Sequence, residues 1–186
     1  MPAVRLERSR AALLVVDVQE RLAAVMPQDA LAAMVRNVRV LVEGAKVLGL
    51  PIVVTEQYPK GLGPTLADLR VALPGTAPVL PKTSFSCCGA GDVMAALDAT
   101  GRDQWVVAGI EAHVCVFQTA RDLAERGRAV HVAADAVLSR TPANLDAGLR
   151  LMERSGAILT STEAVLFDLL GQAGSPEFKT ISGLVK

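Results

Sequence analysis

The stretch Ala11-Ala12-Leu13-Leu14-Val15-Val16-Asp17 is a run of six apolar residues that ends at a carboxylate. The run is continuous rather than alternating, which is typical of a strand buried on both faces of a parallel sheet. Similar runs recur along the chain, at 51–55, 77–80, 104–108, 129–133 and 156–160. Successive runs start 25 to 40 residues apart, so each interval has room for a crossover helix.

Apolar residues at steps of three and four fill the segments between the runs. The clearest stripe extends from Leu31 to Leu48, and the following Gly49 is a typical helix end. Further stripes begin at Val114 and Leu145. We therefore predict an α/β fold, a three-layer Rossmann-like sandwich around a mainly parallel six-stranded sheet, with residues 1–186 as a single domain. Residues 177–186 are expected to dock on the domain or to contact another subunit.

Composition excludes several classes of protein. The 186 residues include 19 Lys+Arg and 19 Asp+Glu, and 51% are hydrophobic, so the chain is neither disordered nor strongly charged. A protein made for nucleic acid or an anionic membrane would need a basic surplus. We expect a small-molecule substrate, with no nucleic-acid and no membrane partner.

The three cysteines, Cys87, Cys88 and Cys115, are an odd number. The first apolar run is shorter than the ~7–15 residues of a signal-peptide core, and we expect no export signal. Free thiols in a reducing cytoplasm are then the simpler interpretation, which makes the cysteines candidates for chemistry.

Three chemically active residues follow three different strands of the predicted sheet. Asp17 follows the first strand, Lys82 the third and Cys115 the fourth. Ligands of an open parallel sheet bind beyond the carboxyl ends of its strands, so these side chains can meet at one place. Each also has a plainer interpretation: Asp17 as a helix cap, Lys82 as a solvated loop residue and Cys115 as core filler.

As a set, the three residues suit nucleophilic catalysis. A thiol at the start of a helix is expected to have a lowered pKa, which favours the thiolate. Asp17 can accept the thiol proton and return it to a leaving amine, while Lys82 orients Asp17. Backbone N–H groups of the loop at 109–115 can hold an oxyanion.

The chain resembles the isochorismatase-like cysteine hydrolases over nearly its full length, and within them the isochorismatase-domain-containing proteins. The resemblance is carried by residues 55–65, 82–85 and 109–112, by Asp17-Val18-Gln19, and by Cys115-Val116. It implies that Asp17 is the general base and acid, that Lys82 is its electrostatic partner and that Cys115 is the nucleophile.

The resemblance also implies a cis peptide at Ile110–Glu111, with the N–H groups of Glu111 and Cys115 forming an oxyanion hole. Relatives assemble, so we expect a homo-oligomer. At the same strand ends, Gln19, Tyr58 and Phe85 are the expected substrate contacts, with a subunit contact as the alternative for Tyr58.

Two departures from related enzymes narrow the activity. Nicotinamidases of this superfamily bind a metal through an Asp-x-His and a further His, whereas this chain has Glu56-Gln57-Tyr58 after the second strand and only two histidines, His113 and His131. We predict no metal and no cofactor. True isochorismatases break a vinyl ether by acid catalysis without a thiol nucleophile, so Cys115 favours C–N bond hydrolysis.

We therefore predict a cysteine hydrolase that cleaves a small amide, imide or carbamoyl compound through an acyl-enzyme on Cys115. Two alternatives remain. One is a catalytically idle or thiol-redox oligomeric scaffold, supported by an exposed pair Cys87 and Cys88 and by the C-terminal segment. The other is a hydrolase of an isochorismate-like vinyl ether.

Overall fold

Six strands form the centre of the molecule in residues 4–186, the part of the chain that the structure, a computed structural model, describes. They are β1 (Ala11–Val16), β2 (Ile52–Gln57), β3 (Val79–Lys82), β4 (Gln104–Ile110), β5 (Ala129–Leu138) and β6 (Ile158–Thr160). All pairs are parallel, in the order β3-β2-β1-β4-β5-β6. The predicted α/β fold is confirmed.

Helices of this part of the chain cover both faces of the sheet. They are α1 (Glu20–Ala23), α2 (Gln28–Leu48), α3 (Pro59–Leu62), α4 (Ala67–Ala72), α5 (Gly91–Ala99), α6 (Phe117–Glu125), α7 (Pro142–Arg154), α8 (Thr162–Leu170) and α9 (Phe178–Leu184). Helices α2, α4, α8 and α9 pack on one face and are called the α2 layer. Helices α5, α6 and α7 pack on the other and are called the α6 layer. Within residues 4–186, no helix combines the length and the apolar character needed to cross a membrane.

Strand β1 explains why the first apolar run is continuous. Its side chains alternate between the two faces: Leu13 and Val15 pack in the core under the α2 layer, and Leu14 and Val16 in the core under the α6 layer. All four are buried. Each such side chain contributes about 1.5–3 kcal/mol when it leaves water, so both faces must be apolar.

Strand β5 is longer than the predicted segment 129–133. Its register against β4 shifts between the pairs Val107↔Val132 and Gly109↔Val137, so β5 has extra residues there. Asp135 lies in this irregular part, and its carboxylate accepts a hydrogen bond of 2.8 Å from the Thr162 backbone N–H at the start of α8. The carboxylate interrupts the apolar run in the sequence, although the strand continues.

The helical predictions hold at α2 and at the C-terminus. Helix α2 ends at Gly49, which has a φ of 70°, a conformation that glycine adopts without steric cost. Residues 178–184 form α9, whose Ile181 is buried in the core of the α2 layer. The segment therefore docks on its own chain; a subunit contact stays a prediction.

The strand order of the sheet reverses between the neighbouring strands β1 and β4. Strands β2 and β3 lie on one side of β1, and β4, β5 and β6 on the other. Gly109, in β4, has a φ of 131°, and a Cβ there would lie 2.0 Å from the Val16 carbonyl oxygen. Glycine thus permits the close approach of the two strand ends at the switch point, where ligands bind in such sheets.

Candidate active site

Asp17 directly follows the last residue of β1 and lies in the interior of the molecule. It has a positive φ of 53° and is fully buried. Its carboxylate accepts hydrogen bonds from Lys82 Nζ at Oδ2, 2.6 Å, and from Thr55 Oγ1 at Oδ1, 2.7 Å. The capping residue of α1 is Gln19, so the alternative that Asp17 caps the next helix is wrong. The apolar run instead delivers a carboxylate to a buried polar cluster.

Lys82, at the end of β3, is held as a buried cation. Its side chain is 0% exposed, which excludes a solvated loop lysine. Besides the bond to Asp17, Nζ donates to Gln57 Oε1 at 2.8 Å and lies near two backbone carbonyl oxygens, of Phe85 at 3.0 Å and of Ser84 at 3.2 Å. An ammonium has three N–H donors, so these acceptors use its full capacity and fix it beside Asp17.

Cys115 lies on a π-helical turn, Ala112–Val116, that links β4 to α6. Its side chain is buried, and the thiol is close enough to the Asp17 carboxylate for the two groups to interact. The three predicted residues Asp17, Lys82 and Cys115 therefore meet at one point, although they are far apart in the sequence. A proton acceptor beside the thiol is what a thiol nucleophile requires.

The expected low pKa of Cys115 is not found. Burial, followed by the negative charge of Asp17, raises the pKa of the thiol above its ordinary value, and Lys82 only partly opposes this. Removal from water disfavours a thiolate more than the start of a helix favours it. Burial also raises the pKa of the Asp17 carboxyl, against the opposing effect of Lys82.

The segment before Cys115 contains the expected cis peptide at Ile110–Glu111. The Glu111 backbone carbonyl accepts hydrogen bonds from two N–H groups of the π-helical turn, 3.0 Å and 3.2 Å long. Its buried carboxylate accepts bonds from Arg140 Nε at 3.0 Å and from the Arg140 backbone N–H at 3.2 Å. The sequence did not point to Arg140. An oxyanion hole formed by the Glu111 and Cys115 N–H groups stays a prediction.

Gln19 is fully buried and bonded to backbone groups. Its Nε2 donates to the carbonyls of Gln57 and Gly63, at 3.0 Å and 2.7 Å, and its Oε1 accepts from the Gln57 N–H at 2.7 Å. This geometry favours support of the β2 end over the expected substrate contact. Gln57, whose side chain accepts from Lys82, is a site residue that sequence reasoning missed; its only signal was a polar side chain at a strand end.

Tyr58 and Phe85 are both bonded to Lys82 through their backbones, and each residue is about half exposed. The Tyr58 N–H donates to the Lys82 carbonyl at 2.8 Å, and the Phe85 carbonyl accepts from Lys82 Nζ. They are thus near the buried cluster and open to solvent. Their contact with a substrate stays a prediction.

Cys87 is fully buried, so its expected exposure in a thiol-redox scaffold is wrong; Cys88 is half-buried. The Cys87 Sγ lies 3.8 Å from Thr55 Oγ1, which places a second thiol close to Asp17. Burial raises the pKa of Cys87 to about 12. His113 contacts Ser139, with 3.0 Å between Nδ1 and Oγ.

Within residues 4–186, no group of three or more His, Cys, Asp or Glu side chains is placed to hold a metal ion. The polar atoms around Asp17 are instead engaged with one another, through Lys82, Thr55 and Gln57.

Comparison of the sequence with known proteins finds relatives that match most of this chain. The model of the isochorismatase domain matches residues 11–164. Isochorismatase domain-containing protein 2 of Danio rerio is 40% identical over 182 residues, 97% of this chain and 89% of that protein. Isochorismatase domain-containing protein 1 of Salmo salar is 41% identical over 78% of this chain. That match covers 51% of the relative, so the chain spans about half of its length.

Solved structures show the same fold. The MAR1 ribonuclease of Caenorhabditis elegans has a TM-score of 0.92 and 39% identity, over 98% of this chain and 92% of that one. YcaC of Pseudomonas aeruginosa, solved with hexane-2,5-diol and covalent acrylamide, has a TM-score of 0.90, with 28% identity over 99% and 93%.

The YcaC gene product of Escherichia coli, an octameric hydrolase of unknown specificity, has a TM-score of 0.85. It is 29% identical to this chain, and the match covers 93% of this chain and 85% of that one. The domain match, the sequence relatives and the fold agree: the chain belongs to the isochorismatase family, whose fold is that of a hydrolase.

Proposed function

We propose that the protein is a cysteine hydrolase that cleaves the C–N bond of a small amide, imide or carbamoyl compound. One observation carries the proposal: the buried thiol of Cys115 lies beside the carboxylate of Asp17, which Lys82 Nζ holds at 2.6 Å. A nucleophile, a proton acceptor and a fixed cation thus lie side by side.

Proton transfer from the thiol accompanies the attack. Burial raises the pKa of Cys115, so the thiol keeps its proton at rest, while Asp17 is paired as a carboxylate with the Lys82 ammonium. As Sγ forms a bond to the substrate carbonyl carbon, its proton passes to Asp17, whose own raised pKa suits it to accept a proton. Lys82 keeps the carboxylate oriented throughout.

The carbonyl oxygen becomes an oxyanion during the attack. Backbone N–H groups of Glu111 and Cys115 hold it, since Glu111 directly precedes the π-helical turn and Cys115 lies on it. When the C–N bond breaks, Asp17 returns its proton to the leaving amine, and a thioester remains on Cys115. A water molecule, deprotonated by Asp17, hydrolyses the thioester and restores the thiol.

The exposed side chains of Tyr58 and Phe85 form part of the approach to this cluster. Each is about half exposed and each belongs to a residue bonded through its backbone to Lys82. They offer aromatic contacts to the part of the substrate that remains outside. Their position favours a small molecule with an apolar portion.

Two relatives support the proposal. The Pseudomonas aeruginosa YcaC structure contains a covalent acrylamide, which requires a nucleophilic group in a protein of this fold. The Escherichia coli YcaC product is a hydrolase and an octamer. The latter also supports a homo-oligomer here, which light scattering after size-exclusion chromatography tests: a monomer at every protein concentration contradicts it.

The proposal is tested with a panel of small amides, imides and carbamoyl compounds. The wild type should release ammonia or an amine from at least one of them, and mass spectrometry of the quenched reaction should find the acyl group on Cys115. Cys115→Ala should give neither. Turnover that survives this substitution overturns the nucleophile assignment.

Acid cleavage of a vinyl ether is the second candidate, favoured by the raised pKa of Asp17, which suits a proton donor. This chemistry needs no thiol. Hydrolysis of isochorismate by wild type and Cys115→Ala at equal rates would support it and contradict the acyl-enzyme.

RNA is a third possibility because the Caenorhabditis elegans neighbour is a ribonuclease. A formal net charge of zero gives this chain no excess of cations for a phosphate backbone. We therefore expect no cleavage of single-stranded RNA above the level of a Cys115→Ala preparation. Cleavage by the wild type alone would move the assignment to RNA.

A further inference from the structure

Thr55, at the carboxyl end of β2, lies between the proposed general base and a thiol that the proposed reaction does not use. It is fully buried and sits opposite Val16 in the register of β1 and β2. Its Oγ1 is 2.7 Å from Asp17 Oδ1 and 3.8 Å from Cys87 Sγ. Cys87 is also fully buried.

The number of protons available decides which group donates in the contacts from Cys87 to Thr55 and from Thr55 to Asp17. An ionised carboxylate has no proton to donate, so the single hydroxyl proton of Thr55 must point to Asp17. The Thr55 oxygen can then only accept from Cys87, which makes the Cys87 thiol the donor. Burial raises the pKa of Cys87 to about 12, so this thiol keeps its proton at ordinary pH.

The two oxygens of Asp17 are anchored from opposite sides. Lys82 holds Oδ2 and Thr55 holds Oδ1. In addition, the Asp17 backbone N–H donates to the Thr55 carbonyl at 3.1 Å. The two side-chain bonds fix the plane of the carboxylate and the backbone bond fixes the residue, so the remaining lone pairs of the carboxylate are left for the Cys115 thiol.

We propose that Thr55, supported by the Cys87 thiol, is a positioning residue that holds Asp17 in the orientation that accepts the Cys115 proton. The inference rests on the proposed function, because it assigns a role to Thr55 through the general base. Thr55 touches neither the substrate nor Cys115 in this account; it acts through Asp17.

The proposal has a consequence for pH dependence. The titratable and charged groups that face Asp17 are Lys82 from β3, Cys115 from the π-helical turn and Cys87 from the 3-10 turn Cys87–Gly89. Thr55 is the neutral donor among them, and its bond lowers the pKa of Asp17. Its loss should raise that pKa by about one unit, the equivalent of one hydrogen bond to a charged group.

The rate at which iodoacetamide alkylates Cys115 reports the pKa of Asp17 without a substrate. The rate is followed against pH by mass spectrometry of the peptide that contains Cys115, in wild type, Thr55→Val and Thr55→Ser. Thr55→Val keeps the shape of the side chain and removes the donor. It should shift the low-pH limb of the profile upward by about one pH unit. Thr55→Ser should restore the wild-type profile.

A Thr55→Val profile that coincides with the wild type overturns the inference, as does a Thr55→Ser profile equal to that of Thr55→Val. If Thr55→Val does not fold, Thr55→Ala carries the same test. Asp17→Asn separates the two proposals. If it leaves the alkylation profile unchanged, the general base and the proposed function fail; if it removes the low-pH limb while Thr55→Val does not move it, only the inference fails.

Discussion

The α2 layer and the α6 layer cover the same sheet, yet they bury different kinds of side chain. Helix α2 buries eight residues, and all of them are apolar or glycine. The core under the α6 layer includes Cys87 and Cys115, and both thiols lie beside the Asp17 carboxylate. One face of the sheet is therefore specialised for packing, while the other combines packing with a buried polar cluster.

Because of this difference, we expect that stability and catalysis can be changed independently, the first in the α2 layer and the second in the cluster beside the α6 layer. Apolar burial at α2 contributes to folding without any charge to neutralise. The cluster beside the α6 layer must satisfy each buried polar atom, since an unpaired one is costly. Substitutions in the two regions should thus affect different measured quantities.

Replacement of the Cys115 thiol should have the largest effect. Cys115→Ala should lower the hydrolysis rate of the best amide substrate by about 10⁴-fold or more, the size seen when a nucleophile is removed. The melting temperature should change little, because alanine is only slightly smaller than cysteine. Cys88→Ala, at a half-buried thiol on the neighbouring turn, is the matched control and should keep the full rate. Equal losses in both variants would contradict a special role for Cys115.

Removal of one lysine from each region compares the stability contributed by a buried ion pair with that of a surface ion pair. Lys82→Met leaves Asp17 buried without its partner, which should lower the free energy of unfolding by about 3–5 kcal/mol in urea titrations. Lys46, on α2, pairs with Glu43 at 2.8 Å but is 35% exposed. Lys46→Met should cost only about 0.2–1 kcal/mol. Similar losses at the two sites would mean that the buried pair is no more important than the surface pair.

Truncation in the α2 layer should destabilise the protein without altering the chemistry. Leu41→Ala, at a buried position in α2, should lower the free energy of unfolding by about 3 kcal/mol. The value of kcat/KM for the folded enzyme should stay at the wild-type level. Leu151→Ala, at a leucine that is 42% exposed, should cost no more than about 0.5 kcal/mol. A loss of kcat/KM in Leu41→Ala would show that the two layers are coupled.

The two layers also differ in how much the sequence predicted. The stripe of α2 identified the helix because apolar periodicity is a local property. Asp17, Lys82 and Cys115 were also predictable, since each follows an apolar run and strand ends meet at one edge of a parallel sheet. The cis peptide was implied by resemblance alone.

The supporting contacts of the cluster depend on strand register, which apolar runs do not define. Thr55 reaches Asp17 because β2 lies beside β1 with Val16 opposite Thr55, and Gln57 lies opposite Lys82 for a similar reason. The predicted lowering of the Cys115 pKa was wrong. The start of a helix acts locally and can be recognised in the sequence, whereas burial beside Asp17 depends on the tertiary structure.

The smallest predicted effect is a pH dependence that only the region beside the α6 layer should produce. Burial raises the pKa of Cys87 from 9.0 to about 12. As the pH rises through this window, the unfolded chain loses the thiol proton and the folded chain keeps it. The unfolded state then binds fewer protons, so the free energy of unfolding falls with pH.

This one thiol should account for about 1.4 kcal/mol of destabilisation between about pH 8 and pH 10. Urea titrations of Cys87→Ala should therefore show a shallower alkaline decline than those of the wild type. Val38→Ala, in the α2 layer, removes buried methyl groups and no titratable group, so it should lower stability equally at both pH values. If the free energy of unfolding falls equally with pH in wild type and Cys87→Ala, groups other than Cys87 cause the alkaline destabilisation. A decline that becomes shallower in Val38→Ala would remove the distinction between the layers.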